Sequence, residues 1–154
     1  MTELIQEDLW DDYCQTRLLF SLNQQTYRLL PNAPGNSLWP WSDEVKDVFI
    51  MSAIHPRSKQ STDEEIPQLN QRMVSTLNAL SLNYMMCIGK PARDDWPEEE
   101  SFLITNANES LLIKLCQDFN QNAYFHWTQE FWSVQGVFAE QTYFTNWELE
   151  KVIL

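Results

Sequence analysis

Residues 96–105 read Trp-Pro-Glu-Glu-Glu-Ser-Phe-Leu-Ile-Thr, and residues 119–127 read Phe-Asn-Gln-Asn-Ala-Tyr-Phe-His-Trp. Between them Asn108 is placed to cap a helix over about 109–119, whose inward positions are Leu111, Leu112, Leu115 and Phe119. Ser101 to Thr105 reads as a strand before this helix. Ala123 to Thr128 reads as a strand after it, with Phe125 and Trp127 on one face and Tyr124 and His126 on the other.

Working back from this unit, Val45 to Ile54 is the strongest strand signal. Val48 and Ile50 lie on one face and Phe49, Met51 and Ala53 on the other, so the strand is apolar on both sides and is expected at the centre of a sheet. It stops at His55-Pro56, because proline cannot donate to a ladder. Thr62 and Glu65 form a capping box for a helix buried along Leu69, Met73, Leu77 and Leu80. Asn83 to Gly89 follows as a strand, and Lys90 to Glu100 as a long hydrophilic connection. Working forward, Phe131 to Phe138 forms a fifth strand, and Thr142 to Leu154 an aromatic C-terminal extension.

The order strand, helix, strand, strand, helix, strand is that of a ferredoxin-like split βαβ unit, an α+β fold whose antiparallel sheet carries both helices on one face. A doubly wound parallel sheet would need a helix where the polar 90–100 segment lies. Residues 3 to about 23 space Ile5, Leu9, Tyr13 and Phe20 on one helical face, and this N-terminal helix is the expected cover for the second face of the sheet. Thr26 to Leu30 reads as a short edge strand. Residues 31–44 are a Pro-rich loop tethered by Trp39 and Trp41. One domain over 1–154 is expected, with 1–30 as helix and short strand, 31–44 as loop, 45–138 as core and 139–154 as extension.

The segment from about Val48 to Val137 resembles a family of uncharacterised bacterial domains known only as a domain of unknown function. The resemblance is carried by Ile54-His55-Pro56, by Asn70 on the following helix, by Gly89, by Trp96-Pro97-Glu98 leading to Ser101-Phe102-Leu103-Ile104, and by Phe119-Asn120-Gln121-Asn122-Ala123. Two departures stand out. His55 replaces the family's more usual Asn, and Trp96 to Ser101 is one residue longer, so either Glu98 or Glu99 matches the family's Glu. The resemblance implies a fold class and a shared site, and it implies no activity.

Composition narrows the function classes. Ten Lys plus Arg against 22 Asp plus Glu leave a formal charge of −12, which disfavours direct binding to a phosphate backbone. No apolar run approaches the ~18 residues that span a bilayer, and a start rich in acid is unlike a signal peptide. A cytoplasmic protein without a membrane partner is the expectation. Cys14, Cys87 and Cys116 have no paired spacing and read as buried free thiols rather than a disulfide framework or a zinc site. No metal site or cofactor is indicated, and a monomer or homodimer is expected.

Two clusters are candidate sites. In the acidic segment, Arg93 to Ser101 places five carboxylates close together; Trp96, Glu98, Glu99 and Ser101 are its candidates for hard-cation binding or acid–base chemistry, although no calcium-loop glycine is present. At the other, His55, Arg57, Gln121 and Asn122 gather at one sheet edge, where an imidazole among amides can donate and accept. Asn70 joins them through the resemblance. Taking the first and third core strands as parallel puts Ser101 ~17 Å from His55, at opposite ends of the sheet. A composite site would then need the 90–100 loop to fold back. The leading expectation is a non-catalytic binding module for a protein or small ligand. A hydrolytic or metal-dependent enzyme using the acidic loop and an acidic mimic of DNA are the alternatives.

Overall fold

Residues 5–93 and 97–153 are described by a computed structural model of the chain. Among them the strands are β1 (Arg17–Leu22), β2 (Gln25–Pro31), β3 (Val48–Met51), β4 (Tyr84–Lys90), β5 (Glu99–Ile104), β6 (Ala123–Trp127), β7 (Trp132–Gly136), β8 (Thr142–Thr145) and β9 (Trp147–Val152). The α-helices are α1 (Glu7–Cys14), α2 (Glu65–Ala79) and α3 (Glu109–Asp118). All nine strands join one antiparallel sheet in the order β8-β7-β6-β3-β5-β4-β1-β2-β9.

β8 and β9 occupy opposite edges of this sheet, yet only Asn146 separates them in sequence. The sheet therefore curls until its edges nearly meet, giving an almost closed barrel. The seam is stitched by the turn after β2, where the Asn32 N–H donates to Thr145 Oγ1 (3.1 Å) and the Ala33 N–H to the Asn146 carbonyl (3.3 Å).

Alternation along each strand separates two cores. Leu18, Leu29, Val48, Ile50, Leu103, Trp127, Trp132 and Trp147 point into the barrel. Phe49, Met51, Phe102, Ile104 and Tyr124 point outward and are covered by Met73 and Leu77 of α2 and Leu112 and Leu115 of α3. Both helices start where local chemistry dictates. Thr62 and Glu65 exchange reciprocal bonds (2.9 and 3.2 Å), and Asn108 Oδ1 accepts from the Leu111 N–H (2.8 Å).

The ferredoxin-like expectation is overturned by this sheet, which has nine strands among the described residues and is rolled up. Its inner face is covered for the most part by its own strands and by Trp39 and Trp41 of the loop after β2, and the N-terminal helix covers only the end of it at Ala123, Phe125 and Val134. Residues 17–22 are a strand, not the continuation of α1. Leu18 and Phe20 are buried while Ser21 is exposed, a period of two that the extra leucines at 19 and 22 mask. Asn23 and Gln24 both take positive φ (52° and 68°) and close the β1–β2 hairpin with a two-residue turn of the twist that adjacent antiparallel strands require. Among the described residues no helix is long and apolar enough to cross a membrane.

Candidate functional site

One mouth of the barrel gathers the end of β3, the end of β4, the start of β5 and the start of β6. β3 and β5 are antiparallel, pairing Met51 with Phe102, so Ser101 lies beside the end of β3 rather than at the far end of the sheet. The separation of His55 from Ser101 expected from parallel strands is thus overturned, and both line the same pocket. The physical reason is that β5 runs antiparallel to both β3 and β4, so the connection from β4 to β5 inverts the direction set by the crossover through α2.

Ile50, Ala123 and Phe125 face inward and give this pocket an apolar floor. Glu99 and Ser101 share the inward face of β5, opposite Gly89 and Cys87 of β4. Ser52, His55 and Ser58 form the rim beyond β3, and α1 lies across the opening with Leu9, Asp12 and Tyr13. α1 is held there by packing of Cys14 against Ala123 and Val134 and by a hydrogen bond between the Tyr13 and Ser58 hydroxyls (3.1 Å).

The rim has an unusual backbone. His55, Arg57 and Ser58 are all left-handed (φ 55°, 53° and 63°) without being glycine, a conformation costing on the order of 1–3 kcal/mol per residue and kept only where surrounding bonds dictate it. Those bonds are present. The Arg57 N–H donates to the Asn120 carbonyl (2.6 Å) and the His55 N–H to Ser61 Oγ (2.9 Å). The Ser61 N–H donates to His55 Nδ1 (2.9 Å), so a neutral imidazole carries its proton on Nε2.

Gln121 is buried and gives Nε2 protons to the Ile54 (3.0 Å) and Phe119 (3.3 Å) carbonyls, which leaves Oε1 as the atom it can offer to a ligand. Arg57 and Asn122 stand one step behind the rim. Arg57 Nε donates to Asn122 Oδ1 (2.9 Å), and Asn122 Nδ2 donates to Ser58 Oγ (2.8 Å). Asn70 and Glu98 are not brought to the pocket. Asn70 lies on α2 with Nδ2 3.4 Å from Glu100, and the exposed Glu98 carboxylate is 4.0 Å from Lys90 Nζ. Trp96 lies outside the described residues. The second histidine, His126, is on the outer face, stacked on Phe49 and bonded to Asp47 (2.7 Å). Sequence reasoning missed Tyr13, Ser52 and Ser58. Only the alternation of Ser52 with Ile50 could have pointed to one of them.

Burial pushes the Glu99 carboxyl above the usual carboxylate range, against the opposing effects of a hydrogen bond from Ser52 and the nearby His55. Burial also pushes the Tyr13 phenol up to about 12, so it stays protonated beside Glu99. The three free cysteines are all buried; burial raises the Cys14 thiol to about 11 and the Cys87 and Cys116 thiols further, so none is a ready nucleophile near neutrality. Among the described residues no group of three or more His, Cys, Asp or Glu side chains is arranged to hold a metal.

The raised carboxyl makes a signed statement about stability. The folded state holds the Glu99 proton more tightly than the unfolded chain, whose glutamates titrate near ~4.3. Its contribution is therefore fully present below that pH and is lost as pH rises through the folded value. Glu99→Gln removes this dependence. The stability of the variant relative to the parent is expected to grow across that interval and then level off, in urea titrations at successive pH values. A difference independent of pH would show that the carboxyl is not held up by the fold.

No curated protein matches this chain, and no solved structure matches it. The residues that place His55, Glu99, Ser101 and Gln121 around the barrel mouth fall within residues 51–124, just under half of the chain, and that segment matches the family model described as "Protein of unknown function (DUF3293)".

Proposed function

We propose that this chain is a non-catalytic binding domain whose ligand is a small molecule seated in the barrel mouth. The observation that carries this reading is the convergence of polar groups from four separate segments, Tyr13, His55, Glu99 and Gln121, over an apolar floor in one concave pocket. The strained rim supports it, because left-handed non-glycine residues held by surrounding bonds cluster where a precise shape is needed. The three free, buried thiols fit a reducing compartment, and we place the protein in the cytoplasm.

A thermal-shift screen against common metabolites tests the reading. A ligand at about 100 times its Kd stabilises the fold by about 2.7 kcal/mol and raises the melting temperature. Gly89→Ala is the control. Its Cβ would meet Thr16 Cγ2, the Glu99 carbonyl and Ser101 Oγ at 3.7–4.0 Å, ordinary contact distances, so the fold accepts the methyl while the pocket loses room. The expected result is a shift that Gly89→Ala diminishes. A screen without hits, or a hit indifferent to Gly89→Ala, removes the pocket from the proposal.

The hydrolytic alternative gains one observation, since Ser101, His55 and Glu99 now share a pocket. Turnover of an ester panel that disappears in Ser101→Ala would favour it over simple binding.

A further inference from the structure

We infer that the barrel-mouth pocket selects a compact ligand with a protonated amine head and a short apolar tail, the head seated on Glu99 and the tail against Ile50 and Phe125. This rests on the binding-domain reading above and goes beyond it in naming the ligand's chemistry.

The argument begins with charge. Two carboxylates line the pocket, Asp12 and Glu99, and no lysine or arginine does so among the described residues. Asp12 already has a cation, because Arg93 donates to its Oδ2 at 2.6 Å. Glu99 is therefore the acid available to a ligand, and Ser52 supports it with a hydrogen bond. A carboxylate drawn into a protein interior loses hydration, and a cation with hydrogen-bond donors restores what is lost. The burial that raises the Glu99 carboxyl marks the same deficit.

The remaining groups suit an ammonium rather than an anion. An ammonium carries three donors and needs acceptors. Glu99 supplies one, and Gln121 Oε1 can supply another once both Nε2 protons are committed to backbone carbonyls. The rings of Tyr13 and Phe125 meet edge to face with centroids 6.5 Å apart, offering an apolar wall and a negative ring face to a cation's alkyl substituent. A carboxylate or phosphate in the same place would meet Glu99 with like charge and only the His55 ring to offset it.

Titration calorimetry of the whole protein in about 0.15 M salt, which screens surface attraction to the acidic chain, tests the inference with three four-carbon probes: n-butylammonium, n-butanol and butyrate. The expected result is binding of butylammonium, at least tenfold weaker binding of the other two, and at least tenfold loss of butylammonium affinity in Glu99→Gln. Equal or tighter binding of butanol or butyrate, or butylammonium affinity unchanged by Glu99→Gln, overturns it. Failure of all three probes also overturns the amine preference. The pocket itself is judged separately by the metabolite screen and Gly89→Ala, so the two readings fail on different measurements.

Discussion

Trp127→Ala is expected to cost about 3–5 kcal/mol, the range for emptying a large aromatic side chain from a packed interior. Trp127 has no exposed surface and sits at the middle of the barrel. Five rings surround it: Phe20 at 5.7 Å, Trp39 at 5.1 Å, Trp41 at 6.0 Å, Trp132 at 6.2 Å and Trp147 at 5.2 Å between centroids. They come from β1, β7, β9 and the loop after β2, of which only β7 shares a hydrogen-bond ladder with β6, so one side chain joins distant parts of the sheet. Against a typical total of about 5–15 kcal/mol, this loss leaves little margin. Trp127→Phe is the informative companion. The indole N–H of Trp127 has no hydrogen-bond partner among the described residues, and phenylalanine removes that donor while keeping a ring. Its cost is expected at about 1–2 kcal/mol. Urea unfolding followed by circular dichroism measures both; a loss below about 1 kcal/mol for the alanine variant would mean that the aromatic interior is not what holds the barrel shut.

Gly136→Ala is expected to cost about 1–3 kcal/mol although it adds one methyl group. The added Cβ would lie 2.6 Å from the Ala139 carbonyl oxygen and 3.1 Å from that of Gln141, and both are backbone atoms of the connection that curls from β7 into β8. Flexible side chains can step aside from such an intrusion, whereas this backbone is pinned by the Gly136 N–H donating to the Gln141 carbonyl at 2.8 Å. The effect should reach the pocket. Gln141 Oε1 accepts from the Ile5 N–H (2.6 Å) at the entry to α1, so displacing the connection loosens the helix that covers the barrel mouth. Faster amide exchange over α1 than in the parent, alongside the lowered urea midpoint, is the expected signature. A variant as stable as the parent would show that the connection yields more easily than its bonding suggests.

The parts of this fold that were legible in the sequence are those set by neighbours in the chain. The capping box of Thr62 and Glu65, the Asn108 cap and the stripe through Met73 and Leu77 define α2 and α3 from local spacing. The two-sided apolar pattern of Val48 to Met51 marked a central strand, and β3 is flanked on both sides by β5 and β6. Barrel closure was not legible, because it depends on pairing Thr26 with Val152 and Pro31 with Trp147 across nearly the whole chain. Residues 17–22 could serve a helix or a strand, and only the barrel selects the strand. In the site, imidazole, carboxylate and amide chemistry pointed to His55, Glu99 and Gln121. Their assembly around one pocket was hidden by the direction of β5. Tyr13 could not be found at all, since the spacing of α1 shows that it has an apolar face but not which opening that face covers.

The single residue between β8 and β9 has a consequence for synthesis. Until Trp147 to Val152 have been made, β2 lacks its outer neighbour and the inner, tryptophan-lined face of the sheet lacks Trp147. A nascent chain halted before Trp147 would present an unpaired edge and a broad apolar surface to its surroundings, the two features that most readily seed aggregation. Barrel closure therefore waits on β9, which acts as the clasp for the strands made before it.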